Sequence, residues 1–110
     1  MILASPYTQI FWNEYQINQL RSDYHIVFDN VITGKLDIDR LALSLHQLID
    51  HYILLNSHLV FNQGRLFWQQ NNTIVPLIEL NNDQKVIEKF IDQPFFLDKG
   101  PLLILVHFWI

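Results

Sequence analysis

The stretch HQLIDH, residues 46–51, holds the densest group of side chains able to bind a metal or move a proton. His46 and Asp50 stand four apart, a spacing that puts both on one face of a helix. Such a pair can ligate a metal, or a carboxylate can polarise a histidine by accepting from its ring N–H. Two ligands at one spacing fall short of the three or four protein ligands of a zinc site, and the plainer reading is a solvated i,i+4 contact. His51 follows at the helix end, where a protonated imidazole would meet the negative end of the dipole, and it reads as a C-terminal capping residue. His107 lies in an apolar run and reads as a packed or edge histidine instead of a base. Trp12, Trp68 and Trp109 share no helical or strand period, so they read as core anchors.

Other catalytic patterns are missing from the sequence. Gly34, Gly64 and Gly100 are isolated, so no glycine-rich phosphate loop exists, and neither a nucleophile elbow nor a zinc-binding helix motif is present. With no cysteine, a disulfide framework and a thiolate metal site are excluded, which fits a reducing cytoplasm.

The elements that must carry these residues alternate between helix and strand. Ser5 and Pro6 open a helix in the favoured order, N-cap then first helical position, and Ile10, Phe11 and Tyr15 give it an apolar stripe. YHIVFDNVIT, residues 24–33, is rich in β-branched and aromatic residues and stops at Gly34, which predicts a strand. Asp37 caps a long helix with Asp39 in its first turn and Leu41, Leu45, Leu48 and Ile49 recurring at three and four. NQG, residues 62–64, lies between two apolar runs and predicts a hairpin. TIVPLIEL, residues 73–80, is extended, with Pro76 pushing it towards a sheet edge. A short amphipathic helix follows, capped near Asn82 or Asp83 and stopped by Pro94. The chain closes on PLLILVHFWI, residues 101–110, a predicted strand. The fold class is α+β, a mixed sheet with helices packed on it.

The chain has 110 residues, room for one domain. Half of them are hydrophobic but only 16% are charged, below the ~25% common in globular domains. That shortfall implies an interior portion of something larger or a sizeable sticky face. The net charge is −4 and the Lys and Arg residues are scattered, so there is no basic stripe for nucleic acid. The N-terminus lacks the charged and apolar regions of a signal peptide. The apolar tail is about half of the ~20 residues that a membrane helix needs, which excludes a membrane anchor.

Three stretches, taken in order, resemble the condensation domains of non-ribosomal peptide synthetases, relatives of chloramphenicol acetyltransferase. SPYTQIFW resembles the opening motif Ser-x-Ala-Gln-x-Arg-Leu-Trp, keeping Ser5 and Trp12. The helix from Asp37 leads into a segment similar to Arg-His-Glu-x-Leu-Arg-Thr, with His51 and Leu54 in register. The run from Pro94 is similar to Pro-Phe-Asp-Leu…Gly-Pro-Leu-Leu-Arg, with Pro94, Phe95, Leu97, Gly100, Pro101, Leu102 and Leu103 matching.

The resemblance implies that residues 1–110 are a partial N-terminal lobe, half of a chloramphenicol acetyltransferase-like lobe, ending before the His-His-x-x-x-Asp-Gly motif that bears the catalytic histidine. It further implies an intact domain that joins two substrates, each held as a thioester on a carrier protein's phosphopantetheine arm, in the cytoplasm. The chain itself would bind no cofactor and would be inactive alone. Its partners would be a carrier protein or the rest of a synthetase. Where the family has Arg, Glu, Arg and Asp, this chain has Asp50, Tyr52, Leu55 and Phe96. A leucine cannot make the bidentate carboxylate contact expected of the second arginine. A non-catalytic interaction domain on the same half-fold therefore stands as the alternative, and an unrelated α+β domain that dimerises through its tail as a third. An apolar strand edge at 101–110 would in any case invite self-association. Either Leu103, Leu105, His107 and Trp109 or the alternate set Leu102, Ile104, Val106 and Phe108 would face the helices.

Overall fold

A computed structural model describes residues 1–109. The three helices begin where local chemistry satisfies their free N–H groups. Ser5 accepts from the Thr8 N–H at 3.3 Å and starts α1, Pro6–Ile17. Asp37 accepts from the Arg40 N–H at 3.2 Å and starts α2, Ile38–His51. Asp83 accepts from Lys85 at 2.8 Å and starts α3, Gln84–Ile91, and two residues, Asp92 and Gln93, separate its end from Pro94. Each start agrees with the sequence reading, while α3 ends before Pro94 is reached.

The strands form two sheets. In the first, β1 (Ile2–Leu3), β2 (Ser57–Asn62) and β3 (Arg65–Gln70) pair antiparallel in the order β1-β3-β2. The β2–β3 hairpin turns at Gln63 and Gly64, with φ of 51° and 77°, so both central residues are left-handed as a two-residue hairpin turn of the right twist demands. The second sheet is parallel: β4 (Leu77–Glu79) runs beside β5 (Leu105–His107), and α3 lies in the connection between them. The α+β class holds, with the mixed character divided between an antiparallel and a parallel sheet.

The core joins α2 to the second sheet. Leu45, Ile49 and Val75 are buried together, and Leu55, Leu77, Leu103 and Leu105 pack against them. In the tail, Leu103 and Leu105 pack against this core, while Trp109 of the same alternating set is exposed. Leu59 and Leu66 are buried on the hairpin. No helix among the described residues is long and apolar enough to cross a membrane.

Three expectations are corrected. Residues 24–33 form no strand; among the described residues their only backbone–backbone hydrogen bond is His25 N–H to the Ser22 carbonyl at 3.1 Å, which closes a turn. Composition makes a segment able to pair, but a strand exists only with a neighbour's N–H and C=O in register. The tail strand is confined to Leu105–His107 for the same reason, since β4 offers only three residues; Ile110 lies outside the described residues. Trp109 is not a core anchor: it is 53% exposed, and its indole N–H donates to Glu79 Oε1 at 2.9 Å. Trp12 and Trp68 are half-buried.

Candidate functional site

A hollow of about 530 Å³ opens between α1, residues 21–28 and the run from Phe95 to Ile104. Phe11 and Tyr15 reach it from α1, Ile26 and Phe28 from one side, and Leu102 and Ile104 from the other. The lining is mostly apolar, with a few polar groups at set places.

Tyr15 is buried and fixes α1 to the far end of the chain, its hydroxyl donating to Asp98 Oδ1 at 2.7 Å. Its pKa is pushed up to about 12, first by burial and then by the bond to that carboxylate. Arg21 donates to Asp23 at 2.6 and 2.8 Å and also to Glu14, and its guanidinium lies over the Tyr24 ring at 4.5 Å. The Asp23 bond raises the Arg21 pKa further, while Arg21 holds Asp23 below the usual carboxylate range.

His25 is the titratable residue of this wall that its sequence context leaves unmarked. Its Nδ1–H donates to the Ile91 carbonyl at 3.0 Å, and its ring meets Phe95 edge-on at 4.8 Å. Nε2 is buried without a partner. The only local signal was its place beside Tyr24; the contact with Ile91 spans 66 positions and no spacing rule reaches that far.

Beside the hairpin, a chain of amides joins the segments that enter and leave it. Asn56 donates to the Thr73 carbonyl at 2.7 Å, Asn71 donates to Asn56 Oδ1 at 3.2 Å, and His58 Nδ1 donates to Asn71 Oδ1. Gly100, at φ 63°, packs onto this chain: a Cβ there would lie 2.5 Å from Asn71 Nδ2. A side chain fits neither the angle nor the space.

A solved structure matches this arrangement. The crystal structure of a mutant starter condensation domain of rhizomide synthetase superposes with a TM-score of 0.75 at 19% identity, covering 96% of this chain and 28% of that one. The fold is that of part of a condensation domain. No known family and no curated protein matches the sequence itself.

On this condensation-domain fold the residues singled out by sequence are spread over three places. Phe95 lines the hollow, and Gly100 and Pro101 follow in the same stretch of chain, half-buried together with Pro94. Ser5 caps α1 and Trp12 stacks on Tyr15 with ring centroids 5.7 Å apart. His51 is the exposed last residue of α2, meeting Tyr52 edge-on at 4.6 Å, Leu54 is exposed just beyond the helix, and neither lines the hollow. His46 and Asp50 share a shallow pocket of about 280 Å³ with Asn72 and Thr73, and no group of three possible metal ligands forms among the described residues. His107 is half-buried, with Nδ1 unpartnered and its ring against Trp109.

Proposed function

We propose that this chain is a partial N-terminal lobe of a condensation-type acyltransferase domain. The observation that carries the reading is the likeness of fold across 96% of the chain, together with three motif-like segments in the family's order. In the intact domain, the amine of a carrier-bound acceptor attacks the thioester carbonyl of a carrier-bound donor. A C–N bond forms, the C–S bond breaks, and the donor's phosphopantetheine thiol leaves with a proton. The protein's contribution is chiefly to hold the two arms in line, which can supply roughly 7–11 kcal/mol of the barrier. This chain offers scaffold to that reaction. None of its five histidines corresponds to the catalytic one, so the chain alone is inactive. The carrier protein is its partner, and the cytoplasm its place of action.

A second reading, a non-catalytic domain that binds a carrier protein or synthetase subunit, is favoured by one feature. Leu55 stands where the family has an arginine and packs against the core formed by Leu45, Ile49 and Val75. Asp50, Tyr52 and Phe96 depart from the family pattern as well.

The genomic reading frame after Ile110 separates the two. A continuation carrying His-His-x-x-x-Asp-Gly supports the acyltransferase reading, and a frame without it supports the interaction domain. Activity gives an independent check. Loaded donor and acceptor carrier proteins incubated with the chain should yield no condensed product by mass spectrometry beyond the protein-free control. Turnover would overturn the assignment of the chain as scaffold.

A further inference from the structure

We propose that Asn71 can carry an N-linked sugar only before the chain folds, and that the sugar and the fold exclude each other. Asn71, Asn72 and Thr73 make the one Asn-x-Ser/Thr pattern of the sequence, which is the acceptor pattern for N-glycosylation. Such acceptors stand on open surface loops. This one is clasped by Asn56, a residue only 7% exposed. The Asn56 carbonyl accepts from the Asn71 N–H at 2.8 Å, and its side-chain Nδ2–H donates to the Thr73 carbonyl at 2.7 Å. Its Oδ1 accepts from Asn71 Nδ2 at 3.2 Å. Asn56 leads into β2 and Asn71 follows β3, so the clasp closes the base of the hairpin.

The modification needs the atom that the clasp uses. Asn71 Nδ2 attacks the anomeric carbon of a sugar diphosphate; a C–N bond forms, the C–O bond to the diphosphate breaks, and Nδ2 gives up one proton. Inside the fold that nitrogen has no room for a sugar. A single methyl added at Gly100 would already lie 2.5 Å from Asn71 Nδ2 and 3.3 Å from its Cγ. Turning the side chain outward frees Nδ2, but it leaves Asn56 Oδ1 without its donor and His58 Nδ1 without its acceptor. Each group orphaned in this way lowers the folded population by about tenfold.

A sugar attached while the chain is still open would therefore hold Asn71 away from Asn56 and keep the hairpin from closing at its base. The chain reaches this structure where its synthesis is kept apart from transferases that act on Asn-x-Thr. The inference rests on the clasp alone and is independent of the acyltransferase reading.

Co-expression of the full chain with a soluble N-glucosyltransferase, which moves glucose from UDP-glucose to Asn-x-Thr, tests the exclusion. A peptide of residues 67–77 modified by the same enzyme is the positive control, and intact mass reads the added hexose. The soluble, folded pool should hold at least about tenfold less modified chain than the insoluble pool. A wild-type chain that stays wholly unmodified also supports the proposal, because folding then hides the acceptor. Thr73→Ala destroys the pattern but keeps Asn71, and Thr73 is exposed and enters the clasp through its carbonyl. This variant should be soluble with the enzyme present, whereas Thr73→Ser should divide as wild type does. Soluble chain that carries the hexose and keeps the circular dichroism and unfolding midpoint of unmodified chain overturns the proposal. So does a Thr73→Ala chain as insoluble as modified wild type.

Discussion

The two sheets of this chain were built by different rules. The hairpin at the heart of the first sheet is made of neighbours in sequence, with a two-residue turn and a register fixed from Asn62↔Arg65 to Ser57↔Gln70, and the distant β1 adds to the free edge of β3. Both of its long strands contribute buried leucines. The β4–β5 sheet joins segments 28 positions apart, is three residues long and has no buried residue of its own. Beside it lies a strand-like segment with nothing to pair with. A chain can thus complete one unit from local information and leave the adjoining unit dependent on something further away.

Substitutions should divide along the same line. Leu59→Ala, at 2% exposure in β2, should cost about 2–5 kcal/mol by urea unfolding, since the hairpin sheet cannot collapse around the void. A cost below 1 kcal/mol would show that the two sheets are equally loose. Leu55→Arg comes next. It puts a charge where a leucine packs on the core, and a loss of roughly 3 kcal/mol is expected. Equal unfolding midpoints for variant and wild type would remove Leu55 from the core.

Gly100→Ala probes the joint between the regions and should cost about 1–3 kcal/mol. The double variant with Asn71→Ala should recover part of the loss, because it clears the contact but keeps the left-handed angle. Tyr15→Phe removes one bond to Asp98 and should cost about 1 kcal/mol near neutral pH. A phenol whose folded pKa is raised stabilises the fold in full below its ordinary value of 10.0 and loses that effect as pH rises through about 12. Wild type should therefore lose stability across that alkaline window, and Tyr15→Phe should lose less. Absorbance titration of tyrosinate would follow the same ionisation. The smallest effect is expected at Phe28→Ala, within about 0.5 kcal/mol for the chain alone, because this side chain is 87% exposed.

What could be read from sequence follows the distance over which each feature is determined. Ser5, Asp37 and Asp83 announce their helices because a cap involves residues two or three apart. The hairpin is legible because its turn is two residues long. Ile2–Leu3 gives no period to detect, and becomes a strand only because β3 has a free edge. Residues 24–33 fail in the opposite sense, with every local property of a strand and no partner. At the candidate site, Phe95 and Gly100 stood out through the likeness to a family motif. Tyr15–Asp98 and His25–Ile91 did not, since each joins residues more than sixty positions apart.

The parallel β4–β5 pair also sets an order of events during folding. The hairpin can close within about 1–10 μs of its turn forming, because its strands are already side by side. Pairing Leu77 with Leu105 requires the intervening chain, including α3 and the Pro94–Pro101 loop, to be gathered first, and the entropy of closing that loop must be met before any contact rewards it. The ladder it gains is three residues long. In a stopped-flow experiment the fluorescence of Trp109, which bonds to Glu79 across that pair, should lag behind the signal from Trp68 in the hairpin.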